Sequence, residues 1–339
     1  MVLLPHYRRW GIFKNLPKKS HPYHKIHHEI QLWYQAHGRV TLPWRNTQNP
    51  YKIYLSEIML QQTQVKTVLE RFYFPFLKKF PTLKSVAKAS LDDVLKAWEG
   101  LGYYTRARNL HKTAQETNGI LPQSPQELER LSGIGKSTAH AVACFAFDAS
   151  LPILDANVKR ILYRFFAIEE CRERELWERA YQLFDTQNAY SYNQAMMDIG
   201  SAICTHKAPN CTACPFHIQC QGSTNPLRYP KRKTKKNRPI RQRFILIYHH
   251  NDRYMLTQNK TRLLAGLWAF PQEEEYQLQR DDTLLGTFVH HYTHFTLKAQ
   301  VVLIHEKQTL PHFEIEEIHQ LALSGADRKA LDLLKRYTH

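Results

Sequence analysis

Four cysteines, concentrated between residues 204 and 220, are the side chains of this sequence best suited to chemistry. They follow the spacing C-x6-C-x2-C-x5-C, as Cys204, Cys211, Cys214 and Cys220. Thiolates are soft ligands, and four anionic sulfurs held together need a cation. Zinc sites usually present two short C-x2–4-C pairs, whereas this run has one such pair between two single cysteines. The compact run predicts a 4Fe-4S cluster. A zinc ion and a pair of disulfides are the alternatives.

A glycine-rich turn is the second candidate site. The segment LSGIGKSTAHAV, residues 131–142, has the pattern of two helices joined by a tight hairpin. Gly133 and Gly135 would allow positive φ angles in the turn. The N–H groups that open the next helix then form an anion site that can hold a phosphate without reading a base. An ordinary turn between two helices is the alternative.

Two carboxylates are candidates for acid–base chemistry. Asp155 directly precedes the helical pattern NVKRIL, so it can cap that helix and also face a cleft. Glu57 falls in a helical stretch over residues 50–72, where it shares a polar stripe with Gln61 and Gln64. Amide side chains can pair with base edges, which favours a nucleic-acid role for this stripe. Taken singly, each carboxylate is equally typical of a structural or surface role.

The segment GLGYYTRARNL, residues 100–110, combines two tyrosines with two arginines. Aromatic rings beside cations suit base stacking together with phosphate contacts. The alternative is a turn with a core tyrosine, and we expect one of Tyr103 and Tyr104 to fill that structural role.

Composition points to the same kind of partner. The chain has 339 residues and a formal net charge of +17, which predicts an anionic partner such as nucleic acid. No apolar run approaches the ~20 residues of a membrane span, and the first residues lack a secretory signal. We therefore expect a monomeric cytoplasmic protein without a membrane partner, associated with the nucleoid in a bacterium.

The elements that must position these residues fall into two classes. Helical periodicity covers residues 26–220, and alternating strand patterns begin at Phe244 and precede a last helix near residues 325–337. We predict a multidomain chain with an all-α domain followed by an α+β domain. The expected boundaries are a basic arm over 1–25, a helical domain over 26–221, a basic linker over 222–242 and a second domain over 243–339. The linker is either a solvated tether or an electrostatic contact to a nucleic-acid backbone.

Taken in order, the motifs resemble one family. The segments LPWR, LSEIMLQQTQV, GLGYYTRARNLHK, LSGIGKSTAHAV, PILDANVKR, NQAMMDIGSAIC and the four-cysteine run are similar to the iron–sulfur helix-hairpin-helix DNA glycosylases, and to their adenine DNA glycosylase branch in particular. The resemblance covers about residues 28–300. The later segment LLAGLWAFP and the linker resemble that branch's C-terminal domain, which has a Nudix-like fold and recognises 8-oxoguanine. The resemblance implies base-excision repair of double-stranded DNA that contains A:8-oxoguanine or A:G mispairs.

The resemblance also implies a role for each matching residue. Glu57 would protonate the leaving adenine at N7, Asp155 would stabilise the oxocarbenium-like sugar or attack it transiently, and Asn157 would orient Asp155. The adenine pocket would be lined by Trp44, Arg45, Leu60 and Gln194, and the residues that wedge into the base stack would be Gln62 and Tyr103. The phosphate-binding hairpin would contain Gly133 and Gly135, and the lesion-reading loop would contain Thr293 and His294.

One position predicts the subclass. Related glycosylase/lyases have a lysine where this chain has Ser137, and serine cannot form a Schiff base with the sugar. We expect a monofunctional enzyme, with residual lyase activity through Lys136 left open.

Two departures from the family pattern bear on the second domain. In the lesion-reading loop, HHYTHF replaces the usual Phe-Ser-His, although Thr293 keeps a hydroxyl. No intact Nudix box is present, so we expect no pyrophosphohydrolase activity. The alternatives are an endonuclease III-like pyrimidine glycosylase/lyase, a non-catalytic iron–sulfur DNA-binding module and a zinc-binding nucleic-acid adaptor.

Overall fold

The computed structural model describes residues 22–231, 237–260, 264–305 and 313–338. The described chain forms two compact units, each assembled from two separate stretches of sequence. Unit 1 contains residues 22–39 and 152–231, and unit 2 contains residues 40–151 together with the described residues beyond 236. Most of the predicted arm over residues 1–25 lies outside the described residues.

Unit 1 is helical and carries the four cysteines. Its helices are α1 (His24–His37), α10 (Ala156–Phe165), α11 (Glu173–Leu183) and α12 (Ala189–Ala202), and a single 3-10 turn follows at Pro226–Arg228. The apolar face of α1 packs on α12, with Ile30 and Tyr34 buried against Met196 and Ile199. The cysteine run from Cys204 to Cys220 is a loop after α12, and Phe216 anchors it in this core.

Unit 2 begins with short helices around one core. A 3-10 turn at Pro43–Arg45 precedes α2 (Pro50–Leu60), α3 (Val65–Arg71), α4 (Tyr73–Lys79), α5 (Leu83–Lys88), α6 (Leu91–Ala97), α7 (Thr105–Glu116), α8 (Pro125–Glu129) and α9 (Lys136–Phe147). Trp98 is fully buried in this core. Leu267 and Ala322, from the C-terminal part of the chain, are buried in the same cluster.

The C-terminal part of unit 2 is a mixed sheet covered by a helix. The elements are β1 (Ile240–His250), β2 (Arg253–Tyr254), β3 (Thr257–Gln258), β4 (Trp268–Ala269), β5 (Gln272–Glu273), β6 (Thr283–His291), β7 (Thr296–His305), β8 (Phe313–Glu314), α13 (Ile315–Gln320) and α14 (Gly325–Thr338). The main sheet has the order β6-β7-β1-β2-β8, with β5 also paired to β1, and β3 and β4 form a separate pair. β1 runs parallel to β7, and β6 runs antiparallel to β7.

The predicted fold class, a helical domain followed by an α+β domain, is confirmed. Three features differ from the sequence patterns. The helical stretch over 50–72 is interrupted at residues 61–64, so α2 and α3 are separate helices. The segment RYMLTQN forms two two-residue strands, β2 and β3, instead of one long strand. No strand pattern revealed that β1 and β7 are parallel, because pairing direction depends on how the chain crosses between them.

The first part of the predicted linker packs on unit 1. Arg164 donates hydrogen bonds to the carbonyl oxygens of Pro226 and Tyr229, at 2.9 and 3.3 Å. Arg228 and Lys231 form ion pairs with Glu169 and Glu170. Residues 222–231 are therefore held by contacts rather than free as a tether. Within the described ranges, no helix is both long and apolar enough to cross a bilayer.

Gly200 is the point of closest approach between α10 and α12. A Cβ atom at Gly200 would lie 2.5 Å from the Cβ of Asn157 and 3.2 Å from its backbone. We expect Gly200→Ala to lower the free energy of unfolding by about 1–3 kcal/mol, the usual effect of overpacking. Thermal or urea unfolding measures this. Gly135→Ala is the matched control, because Gly135 faces open space at a negative φ. Equal stability of both variants would contradict the packing argument.

Candidate active site and cysteine loop

Glu57 lies in the last part of α2 and is half-buried. Asn49 begins this helix, and its side chain accepts a hydrogen bond from the backbone N–H of Lys52 at 3.1 Å. The helix ends at Leu60, and Gln61 is its C-cap. The predicted stripe of Glu57, Gln61 and Gln64 on one helix is therefore wrong, because the second and third members lie beyond the helix end.

Arg106 shapes the loop after α2. The residue is buried, with 8% of its surface exposed, and its guanidinium donates to the carbonyl oxygens of Ile58, Met59 and Gln61 at 2.6–2.9 Å. Burial lowers the pKa of Arg106 to about 10, so it stays charged at neutral pH. This guanidinium supplies the donors that the C-terminal carbonyls of α2 lack.

The same guanidinium holds a second loop, over residues 101–104. Arg106 also donates to the carbonyl oxygens of Leu101 and Gly102, at 3.3 and 3.1 Å, and its guanidinium lies 5.4 Å from the ring centre of Tyr103. The two predicted wedge residues lie one on each of these loops. Gln62 has φ +59° and Tyr103 has φ +49°, a left-handed conformation that is uncommon for side-chain-bearing residues. One buried cation thus fixes both strained positions.

Tyr103 and Thr293 meet at the surface of unit 2. Tyr103 is 43% exposed, and the Thr293 hydroxyl donates to its hydroxyl at 3.4 Å. Thr293 and His294 are the exposed tip of the β6–β7 hairpin, which is closed by a hydrogen bond from the N–H of Tyr292 to the carbonyl of Phe295. Tyr104, the neighbour of Tyr103, is 8% exposed. We expected one of the two tyrosines to have a structural role, and Tyr104 is the buried one.

The glycine turn joins α8 to α9 and distinguishes its two glycines. Gly133 has φ +74°, and a Cβ there would overlap the side chain of Asn109. Gly135 has φ −88°, so the expectation of a positive φ at Gly135 is wrong. It is the N-cap of α9, and a Cβ atom there would face open space. Helix N-termini attract anions, so the turn remains a candidate phosphate site. Ser137 is half-buried in the first turn of α9.

Asp155 is the N-cap of α10 in unit 1. One carboxylate oxygen accepts from the N–H of Val158 at 2.7 Å, and the other accepts from the amide of Asn157 at 3.2 Å. Burial raises the pKa of Asp155, and these two hydrogen bonds oppose the rise. Asp155 therefore occupies the capping position expected from the sequence, and Asn157 is one of its hydrogen-bond donors.

Arg160 connects this carboxylate to the cysteine loop. Its guanidinium donates to the amide oxygen of Asn157 at 2.9 Å, and also to the carbonyl oxygens of Gly200 and Cys204. The Asn157 amide therefore has its oxygen held by Arg160 while its nitrogen donates to Asp155. The order Asp155, Asn157, Arg160, Cys204 is a continuous chain of hydrogen bonds inside unit 1.

The predicted adenine-pocket residues divide between the two units. Trp44 and Arg45 lie in the 3-10 turn of unit 2 and are 6% and 8% exposed, with Trp44 packed edge-on against Tyr73. Leu60 is the last residue of α2 and is half-buried. Gln194 lies on α12 of unit 1 and is 3% exposed.

The four cysteines line one cavity in unit 1, together with Arg164, His217 and other residues of the loop. Arg164 donates to the sulfur of Cys204 at 3.2 Å, and the thiol of Cys220 donates to the carbonyl of Arg164 at 3.5 Å. Burial and mutual repulsion raise the pKa of Cys214 to about 12 and that of Cys220 to about 11. All six cysteines are in the described part of the chain, and none is in a disulfide.

Sequence reasoning did not identify the structural roles of Arg106, Arg160 and Arg164. Arg106 falls in the segment expected to contact phosphate, but it is buried and donates to backbone carbonyls instead. A signal existed for Arg164, which is 3% exposed, because it falls at helical spacing between the buried Ile161 and Phe165. Arg106 and Arg160 gave no such signal, since most of their acceptors are backbone carbonyls that any sequence would provide.

Two family models match the chain. Residues 55–185 match the HhH-GPD superfamily of base excision DNA repair proteins, and residues 243–333 match the NUDIX domain.

Relatives match over most of the chain. It is 37% identical to an adenine DNA glycosylase of Buchnera aphidicola subsp. Baizongia pistaciae over 81% of this chain and 84% of the relative. It is 32% identical to the adenine DNA glycosylase of subsp. Schizaphis graminum over 90% of this chain and 97% of the relative.

Solved structures share the helical fold. A thermostable thymine-DNA glycosylase is 27% identical with a TM-score of 0.55, covering 59% of this chain and 97% of its own. A non-covalent endonuclease III–DNA complex shows the same fold at 20% identity and a TM-score of 0.51, over 60% of this chain and 95% of its own. From these relatives, which match over most of the chain, it follows that the chain belongs to the adenine DNA glycosylase family, a group of DNA glycosylases that hydrolyse N-glycosyl bonds.

Proposed function

We propose that this enzyme removes adenine mispaired with 8-oxoguanine or guanine in double-stranded DNA, as a monofunctional glycosylase with a 4Fe-4S cluster on its four clustered cysteines. The observation that carries the chemical part is the environment of Asp155. Its half-buried carboxylate is held by Val158 and by Asn157, which is itself held by Arg160. A carboxylate that is held in one orientation can stabilise positive charge that develops nearby in a transition state.

The proposed reaction divides two roles between two carboxyl groups, as in glycoside hydrolysis. Glu57, protonated, donates its proton to N7 of adenine, and the N-glycosyl bond breaks with its electron pair leaving on the base. Asp155, ionised, stabilises the oxocarbenium-like sugar until water adds to C1′ and gives up its proton to the Glu57 carboxylate, which restores the acid. Burial raises the pKa of Asp155, and its N-cap hydrogen bonds act in the opposite direction, toward the ionised form that this role requires.

The monofunctional assignment rests on position 137. A lyase step through a Schiff base needs an uncharged amine that attacks C1′ of the sugar. Ser137 has no amine, and it lies in the first turn of α9 beside the proposed phosphate site. An endonuclease III-like lyase is therefore the less favoured assignment.

The lesion-reading proposal rests on the hairpin tip. Thr293 and His294 are exposed, and Thr293 contacts the proposed wedge residue Tyr103. A hydroxyl and an imidazole at an exposed tip can bond to the edge of the base opposite adenine. Gln62, strained and exposed on the neighbouring loop, would fill the space that the flipped adenine leaves.

The donor set of the cysteine loop fits an iron–sulfur cluster. Within the described chain, no three His, Cys, Asp or Glu side chains are arranged to ligate one metal ion, yet all four cysteines line a single cavity. In a cubane each thiolate binds a different iron, so the sulfurs stand farther apart than around a zinc ion. Burial and mutual repulsion raise the pKa of Cys214 and Cys220, and a bound cation would stabilise their thiolate forms. Bound there, the cluster would cross-link the loop to α10 through Arg160 and Arg164.

The roles proposed for the two carboxyl groups predict that replacing either one slows the excision of adenine but does not weaken DNA binding. Glu57→Gln and Asp155→Asn should each slow single-turnover adenine excision by at least about a hundredfold, the usual contribution of a positioned acid or base. Affinity for a duplex with A opposite 8-oxoguanine should persist, since removing a negative charge does not weaken phosphate contacts. Glu70→Gln, an exposed carboxylate on α3, is the matched control. An excision rate within threefold of wild type would refute the role of that carboxyl group.

The cysteine loop predicts iron. The protein purified from iron-replete cells should be yellow-brown with about four irons per chain. Cys214→Ser should lose iron, while Cys144→Ser, on buried α9, should retain it. Metal analysis and the absorbance near 400 nm measure both. Stoichiometric zinc without iron would refute the cluster.

The hairpin predicts a contribution of one hydroxyl to lesion preference. We define the preference as the excision rate for A opposite 8-oxoguanine divided by that for A opposite guanine. Thr293→Ala should reduce it by about threefold to tenfold, the value of one hydrogen bond. Thr293→Ser retains the hydroxyl and should keep the wild-type ratio. Equal ratios for the alanine and serine variants would assign lesion reading to other groups.

A further inference from the structure

A half-buried ion network joins the loop after α6 to the C-terminal helix α14. Arg328 of α14 donates two hydrogen bonds to the Glu99 carboxylate, Nε to Oε1 at 2.5 Å and Nη2 to Oε2 at 2.9 Å. Lys96 adds a third, from Nζ to Oε2 at 2.7 Å. The Glu99 and Arg328 side chains are 17% and 26% exposed, so water screens the pair only in part. A two-pronged arginine–carboxylate contact is the strongest and most directional form of ion pair.

The network also binds the end of α13. Lys96 donates to the carbonyl oxygens of His319 and Leu321, and Arg328 donates to that of Leu321 at 3.2 Å. Lys96 and Arg328 together carry one more positive charge than the Glu99 carboxylate neutralises. The carbonyl oxygens at the C-terminus of α13 stabilise this excess charge. Burial alone would raise the pKa of Glu99, but the hydrogen bonds from Arg328 and Lys96 outweigh it and lower the pKa. Glu99 is thus ionised at neutral pH.

Glu99 begins the segment that carries the wedge residue. Tyr103 lies four residues later, and the neighbouring Tyr104 hydroxyl donates to the carbonyl of Leu323 at 3.3 Å. Further along, Arg108 donates to the carbonyl of Ala265 at 2.7 Å. The segment from Glu99 to Arg108 is therefore fastened to the C-terminal part of the chain at both ends and in the middle.

The lesion-reading hairpin is fastened to the same helix. Ser324, just before α14, contacts the hydroxyl of Tyr292 at 3.5 Å, and Lys329 of α14 donates to the carbonyl of Val289 on β6 at 2.8 Å. The contact from Thr293 to Tyr103 then closes a ring that runs through Glu99, Arg328, α14 and the hairpin.

We propose that the Glu99–Arg328 pair determines specificity by holding the wedge Tyr103 and the lesion-reading tip Thr293 in one fixed arrangement. Neither residue touches DNA in this proposal. They are positioning residues. Because they hold Thr293 and Tyr103 in one arrangement, a base opposite adenine that binds well at Thr293 also places Tyr103 correctly for base flipping. The inference rests on the proposed lesion preference.

The test is a double-mutant cycle on the lesion preference defined above. Single-turnover rates on the two duplexes are measured at one salt concentration for wild type, Glu99→Gln, Arg328→Gln and the double variant. We expect each single variant to lower the preference about tenfold, and the double variant to lower it no further, because both remove the same contact.

Arg253→Gln is the matched control. It removes one positive charge from the same part of the chain, where Arg253 pairs with Glu314 between β2 and β8, and it should keep the wild-type preference. Equal loss on both duplexes or additive effects of the two substitutions would overturn the inference. A wild-type enzyme with no preference for 8-oxoguanine would overturn the proposed lesion reading and this inference with it. A wild-type preference that every variant retains would overturn the inference alone.

Discussion

Much of this structure depends on guanidinium groups that leave water and must be given acceptors inside the protein. A buried cation without partners costs several kcal/mol, so it persists only where the fold supplies hydrogen bonds. Arg106, Arg160 and Arg164 find them in main-chain carbonyl oxygens at helix ends and loops. Those carbonyls need donors in turn, because the last turn of a helix leaves them unpaired. Each arginine therefore satisfies two requirements at once and fixes the loop it binds.

The loops fixed in this way are the ones that carry the proposed function. Arg106 fixes the loops of Gln62 and Tyr103, whose left-handed backbones each store on the order of 1 kcal/mol or more. Such conformations last only when surrounding contacts determine them, and Arg106 provides these contacts. Arg160 and Arg164 do the same for the cysteine loop and for the start of α10. The substitution Arg106→Lys would keep the charge but lose the planar guanidinium, since an ammonium group cannot reach all five carbonyl oxygens that Arg106 contacts.

The sequence was sufficient where a residue's own chemistry determines its position. Asp155 was expected to cap a helix and does, Tyr104 fills the core, and the cysteine spacing gathered four thiols around one cavity. It was insufficient where backbone geometry decides. The polar stripe from Glu57 to Gln64 failed because α2 ends at Leu60, and periodicity cannot detect an ending that a distant arginine stabilises. Gly133 and Gly135 looked equivalent, yet only Gly133 needs a positive φ.

The packing of the C-terminal part adds a constraint that the linear order of motifs conceals. Leu267 and Ala322 are fully buried in the same apolar cluster as α6 and α7, so the two parts of unit 2 share a core instead of merely touching. Burying an aliphatic side chain such as Leu267 contributes about 1.5–3 kcal/mol, which favours the docked arrangement without specifying it precisely. Apolar contacts are non-directional, whereas the contact of Arg328 with Glu99 is directional. The apolar cluster therefore supplies the affinity between the two parts, and the ion pair supplies the orientation that the proposed lesion-reading hairpin and the proposed wedge residue require.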